Sequence, residues 1–182
     1  MQPHGPLMVE HRLIERMVAL MKKEIARIQA ASELDPAFLT SAVDFIRVYA
    51  DRTHHGKEEQ ILFRELAARD LAPDHEAMMN DLVNEHGFAR DLTADLVRAG
   101  EAHVAGDEDA LGRVVSLLMS LTEFYPVHIA KEDEQFFPAA VAYLDDGAKE
   151  AMLQRFHEFD RSMIHEKYQS VIQSLEEDRD SA

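Results

Sequence analysis

Apolar residues recur at helical spacing along most of the chain, in stripes separated by short polar segments. Met8, Ile14, Met17, Val18, Met21, Ile25 and Ile28 share one face and predict a first helix over residues 7–31. Asp35-Pro36 places a capping acid before a proline at the first helical position, and it opens a second helix over 36–69. Val43, Ile46, Tyr49 and Ala50 form its stripe, which resumes at Ile61, Leu62 and Leu66. After the loop DLAP, Met78, Met79, Leu82, Val83, Leu92, Leu96 and Val97 predict a third helix over 74–104. AGDE at 105–108 ends that helix and caps a fourth over 108–137, the most apolar, through Val114, Val115, Leu117, Leu118, Leu121 and Phe124. Pro126 is expected to kink it and Pro138 to end it. A fifth helix over 148–177 carries Phe156, Phe159, Met163, Ile164 and Tyr168, with an acidic tail behind it.

Four histidines and two glutamates interrupt these stripes in mid-helix, where Leu would serve packing better. His128 and Glu132 are four apart, so they turn by about 40° and climb about 6 Å, which puts both on one helix face. That pair alone is common on solvated surfaces. Here it has a twin: HHGKEEQILF at 54–63 aligns without a gap onto HIAKEDEQFF at 128–137, seventy-four residues later. His54 meets His128, Lys57 meets Lys131, Glu58 meets Glu132, Glu59 meets Asp133 and Phe63 meets Phe137. Glu10-His11 and Glu85-His86 repeat at nearly the same offset, seventy-five residues. A fixed offset between chemically matched motifs marks an internal repeat. Two helical hairpins, each giving one His from its first helix and His-x-x-x-Glu from its second, build a symmetric two-metal site in a four-helix bundle. His11, His54, Glu58, His86, His128 and Glu132 are the expected metal ligands. His55 and Glu59 form a parallel pair about 100° around the same helix and are rival ligands. Gly56 between them admits a close neighbour or a ligand path. His75 and His103, near helix ends, are expected to be exposed.

Composition narrows the chemistry. The chain has 182 residues, 46% hydrophobic and 30% charged, enough for one packed domain with a polar surface. Its net charge of −16 disfavours nucleic acid and anionic membrane surfaces. The absence of cysteine excludes disulfides, thiolate zinc sites and iron–sulfur clusters, which leaves imidazole and carboxylate for iron, manganese or zinc. No apolar run reaches the ~18 residues of a membrane span, and MQPHGPLMVEH lacks the pattern of a signal peptide. A cytoplasmic location is expected.

The ordered set His11, His54-x-x-x-Glu58, His86, His128-x-x-x-Glu132, with EEQILF and EDEQFFP behind the paired histidines, resembles the hemerythrin-like (HHE cation-binding) family over residues 7–140. The resemblance implies an all-α, up-down-up-down four-helix bundle over 1–146. Residues 147–182 would add a C-terminal helix and tail. It implies two non-haem iron ions held by the four histidines, with Glu58 and Glu132 as bridging carboxylates, Asp133 competing with Glu132. The implied partner is a small diatomic ligand or peroxide, either oxygen, nitric oxide or a related species. Oxygen-carrying members use a His-x-x-x-His pair on the third helix. Here Leu82 and Arg90 flank His86 at that spacing, so one imidazole is missing, and the empty position could hold water, His55 or His165.

Three functions compete at this level. The leading one is a di-iron protein that binds or senses oxygen, nitric oxide or peroxide. Oxidase or peroxidase turnover would be supported by Tyr49, Tyr125 or Tyr168 near the site. The others are a metal-free helical interaction module and an iron store or buffer.

Overall fold

The structure, a computed structural model, describes the backbone of residues 2–180 and the side chains of residues 2–164 and Lys167. It is all-helical with five helices, consistent with the expected bundle, and no strand occurs among the described residues. Helix α1 is His4–Ala31. Helix α2 covers 36–67: Pro36–Asp44 is α-helical, Phe45–His55 and Glu58–Phe63 are π-helical, and Arg64–Ala67 closes it. Helix α3 is Pro73–Val104. Helix α4 covers 110–140 as Ala110–Lys131, π-helical Glu132–Phe136 and Phe137–Ala140, followed by a 3-10 turn, Val141–Tyr143. Helix α5 is Asp146–Asp180.

The helix starts and stops follow local chemistry. Asp35 accepts from the N–H groups of Ala37 and Phe38 at 2.9 and 3.1 Å, which satisfies two donors left free at the start of α2. Ser32 ends α1 in the left-handed region, its N–H on the Ile28 carbonyl at 2.7 Å. Gly106 has φ +94 in the α3–α4 turn, a conformation L side chains rarely adopt. One expected stop fails. Pro138 does not end α4, because the preceding turns are π-helical and the Phe137 N–H bonds five residues back, to Glu132. The wider turn makes room for a proline ring that would collide in an α-helix. Pro126 likewise lies inside a continuous helix.

Helix α1 packs against α2 and α4, α3 packs against the same two, and α5 lies on α2. Two apolar layers result. One gathers Ile14, Val18, Ile46, Leu96, Leu118 and Leu121; the other gathers Leu7, Leu62, Leu66, Leu82, Phe136 and Phe156. His11, His54, His86, His128 and Glu132 fall in sequence between members of these layers, so a polar band lies buried between two apolar ones. Gly56 admits a close neighbour: an added Cβ would stand 2.9 Å from the Phe159 ring of α5. Val83, expected in the inward stripe of α3, is 41% exposed. His75, expected in solvent, is half-buried, with its Nδ1 2.7 Å from the Tyr143 hydroxyl. His165 and Tyr168 lie outside the described side chains. Among the described residues no helix is long and apolar enough to cross a membrane.

Candidate metal centre

The six residues singled out by the repeat meet at one buried place, with His55 as a seventh. His11, His54, Glu58 and Glu132 form one group, and His55, His86 and His128 form another. Within each group one ligand atom per residue lies within 4.8 Å of every other. All seven side chains are at most 2% exposed. The carboxylates join the two groups. Glu58 turns Oε1 to His54 Nε2 at 3.6 Å and Oε2 to His86 Nε2 at 3.4 Å. Glu132 turns Oε2 to His11 Nε2 at 3.2 Å and Oε1 to His128 Nε2 at 3.4 Å.

His55 joins His86 and His128 in the second group. Its ring stacks on His86 with centroids 3.8 Å apart. In an α-helix adjacent side chains diverge by about 100°. The π-helical stretch ending at His55 turns less per residue, so His54 and His55 both face inward. The repeat gave no sign of this, since Ile129 occupies the matching place in the second half.

Each inward imidazole is fixed by a carboxylate behind it. Nδ1 of His54 donates to Glu10 at 2.9 Å, and Nδ1 of His128 donates to Glu85 at 2.7 Å. His11 donates to Asp133 at 2.7 Å and His86 to Glu59 at 2.8 Å. His55 has Asp51 at 3.4 Å. An ionised carboxylate only accepts, so Nδ1 carries the proton and the Nε2 lone pair faces the centre. Lys57 and Lys131 in turn pair with Glu10 and Glu85, and buried Lys57 also bonds Asp160 of α5 at 2.6 Å. Glu59 and Asp133, weighed as ligands, thus serve as supports for imidazoles. The trailing phenylalanines complete the pattern: Phe137 stacks on His11 at 5.7 Å, and Phe63 on His86 at 6.0 Å. Each hairpin's second helix therefore braces the lone His of the other hairpin. The signal for this outer ring was in the sequence, because Glu10/Glu85, Lys57/Lys131 and Glu59/Asp133 all repeat with the ligands.

Among the described residues the inner atoms lack partners: both oxygens of Glu58 and Glu132 and the Nε2 atoms of His55, His86 and His128 are buried without a hydrogen bond. Leaving so many buried polar atoms unmet would be costly without a cation between them. The Nε2 atoms of His11 and His54 stand 2.9 Å apart. Two imidazole nitrogens bound at right angles to one metal ion, about 2.1 Å from it, lie about 3 Å apart. The donor set therefore fits metal.

A scan of known families reaches the same place. The model of the hemerythrin HHE cation-binding domain matches residues 4–140. The chain belongs to that family. This hemerythrin-family chain is also similar to Uncharacterized protein Mb2018 of Mycobacterium bovis and Uncharacterized protein Rv1995 of Mycobacterium tuberculosis. Each is 26% identical over 133 residues, covering 73% of this chain and 51% of the relative. The chain thus spans about half the length of the curated relatives it matches. No solved structure matches it significantly.

Burial sets the charge states of the metal-free centre. It raises Glu58 and Glu132 well above the ordinary carboxylate value of 4.5, with Glu10 adding to the rise at Glu58 and Glu58 adding to it at Glu132. It lowers His54 and His55 well below 6.5, helped by neighbouring imidazoles, and takes His128 down to about 4 against the opposing pull of Glu85. A raised carboxylate contributes stability that is full below 4.5 and is lost as the pH rises through its folded value. A lowered imidazole contributes stability that is full above 6.5 and is lost as the pH falls through its folded value, about 4 for His128. Between those limits three imidazoles gain more with rising pH than two carboxylates lose, so metal-free protein is expected to be most stable near pH 6.5. Melting curves from pH 4 to 9 check this, and a metal-free optimum above pH 8 would contradict it.

Proposed function

We propose that the chain is a non-haem di-iron protein that binds or senses a small ligand, either oxygen, nitric oxide or peroxide. The observation that supports this best is the pair of carboxylates, each of which presents one oxygen to either imidazole group. His11 and His54 would hold one ion and His55, His86 and His128 the other, with Glu58 and Glu132 shared. Imidazole and carboxylate without thiolate suit iron, and membership of a cation-binding family favours metal of this kind. When bound, a pair of irons held by these residues would supply electrons to, or accept them from, a small oxygen or nitrogen species.

The chain's own residues set the conditions. The carboxylates on Nδ1 fix each imidazole's tautomer and raise its basicity. Phe63, Phe124 and Phe137 stack on His86, His128 and His11 and keep water from the ligand atoms. Taking up metal requires Glu58 and Glu132 to give up the protons that burial makes them hold, so loading should release acid.

Elemental analysis and an absorption spectrum of aerobically purified protein test the reading. About two irons per chain are expected, with near-ultraviolet absorption that shifts on adding azide or nitric oxide. One zinc per chain would overturn the iron assignment while leaving the bundle intact.

A further inference from the structure

Three side chains of α5 converge on one dipeptide of α2, Gly56-Lys57, which lies between His54 and Glu58 in the chain. Phe159 packs on Gly56, where an added Cβ would stand 2.9 Å from its ring. Asp160 accepts from Lys57 Nζ at 2.6 Å, and the centre of the Phe156 ring is 5.9 Å from the same ammonium. Lys57 is fully buried. A buried ammonium persists only where its charge and its N–H groups are met. Lys57 meets them on two carboxylates, Glu10 of α1 and Asp160 of α5. Glu10 gives one oxygen to Lys57 and the other to Nδ1 of His54, at 2.9 Å. A continuous run of hydrogen bonds therefore leads from Asp160 through Lys57 and Glu10 to His54.

The internal repeat supplies a comparison within the same molecule. Lys131 and Glu85 stand in the second half as Lys57 and Glu10 stand in the first, and Glu85 holds His128 as Glu10 holds His54. There the run stops. Among the described residues no second carboxylate meets Lys131, and its side chain is 26% exposed. Ala130 takes the place of Gly56, so a Cβ stands where the first half admits Phe159. The difference comes from a helix outside the matched domain: the family match ends at residue 140, and α5 begins at Asp146.

We propose that Asp160 of α5 is a positioning residue of the metal centre, acting through Lys57 and Glu10 on His54, and that it sets the His54 side apart from the His128 side. The inference rests on the di-iron reading and deepens it. A carboxylate behind an imidazole raises its basicity, and a more basic imidazole favours the ferric ion over the ferrous. Lys57 divides its charge between Glu10 and Asp160. Without Asp160 the whole ammonium leans on Glu10, which becomes a weaker acceptor for Nδ1 of His54. His54 is then a poorer donor to metal. Loss of one negative charge near the ion acts in the same direction. Iron at His54 thus becomes easier to reduce, while iron at His128 keeps its support from Glu85 and Lys131.

Wild type, Asp160→Asn, Asp160→Glu and Asp44→Asn test this. Asp160→Asn keeps the shape and removes the charge. Asp44→Asn cuts another tether of α5, the exposed contact from Lys167 at 2.6 Å, and leaves Lys57 untouched. Two quantities are read. One is the reduction potential of each iron in loaded protein, by titration followed by absorption. The other is the Nδ1 proton resonance of His54 and of His128 in metal-free protein, by NMR. In Asp160→Asn the potential of one iron should rise and the other stay. The His54 proton should move upfield, as for a weakened hydrogen bond, and the His128 proton should stay. Asp160→Glu should bring both quantities back toward wild type, and Asp44→Asn should leave both there. Asp160→Ser takes the place of Asp160→Asn if that variant fails to fold. Wild-type potentials and resonances in Asp160→Asn would overturn the proposal and leave α5 a packing helix. Equal changes in Asp44→Asn would overturn it as well, because loosening α5 would then suffice. Wild-type protein that takes up no iron would overturn the di-iron reading, and the metal-free resonances would still decide the role of Asp160.

Discussion

Stripping the iron is expected to lower the melting temperature by roughly ten degrees or more at neutral pH. An ion that binds the native state at about a thousand times its dissociation constant adds about 4 kcal/mol. For a chain of this size each kcal/mol moves the midpoint by roughly 2–4 °C. The metal-free state also keeps Glu58 and Glu132 buried against each other. Their contribution is full below the ordinary value of 4.5 and is lost as the pH rises through their raised folded values. The gap between loaded and metal-free protein should therefore widen from acid toward alkaline pH. In acid it should narrow, because protons compete with the metal for the same carboxylates. Melting curves with iron content verified before and after chelation check both the size and the trend. An unchanged melt after complete removal would favour a metal-free interaction module.

Much of this architecture was legible as periodicity. The five apolar stripes mark the five helices, and Asp35-Pro36 marks the start of α2 because a side-chain acceptor and a proline without N–H both belong there. The six repeat residues converge because each sits in mid-stripe, on the face its helix turns to the core. What was illegible came from departures that a 3.6-residue pattern cannot express. The π-helical stretches of α2 and α4 bring His55 inward and carry α4 past Pro138. His75 found Tyr143 across sixty-eight residues of chain, a contact that only the tertiary fold sets. The outer carboxylates are a different case. Glu10, Glu59, Glu85 and Asp133 were visible as repeating letters, but a repeat marks correspondence and does not assign a role. The hydrogen bonds to Nδ1 supply that role.

The internal repeat also separates what the halves share from what they do not. Ligands, Nδ1 acceptors, lysines and stacking phenylalanines are duplicated. His55, Tyr125, Ala89 and Thr93 are not, and all four border one cavity beside one of the two imidazole groups. The duplicated residues make the donor set symmetric about its two carboxylates, and the unduplicated ones open a cavity on one side of it.

Glu58→Ala and Glu132→Ala are each expected to take the iron content from about two per chain to below one. Each carboxylate faces both imidazole groups, so its loss removes a donor from both ions and the negative charge that holds two cations close together. Neither change should unfold the metal-free chain. Each removes a buried carboxyl whose oxygens are unpartnered among the described residues, and the desolvation it imposed goes with it. Loss of iron with helical circular dichroism retained is thus the signature. His55→Ala should behave differently. It subtracts one imidazole from a single group, so about one iron should remain, held by His11, His54 and the two carboxylates. His157, exposed on α5, serves as the control, and His157→Ala should keep both ions. Iron measured by elemental analysis on folded protein decides the matter. Full retention in both glutamate variants would mean that these carboxylates do not hold the metal. An equal loss in His55→Ala and Glu58→Ala would mean that the two ions bind as one unit rather than in separable groups.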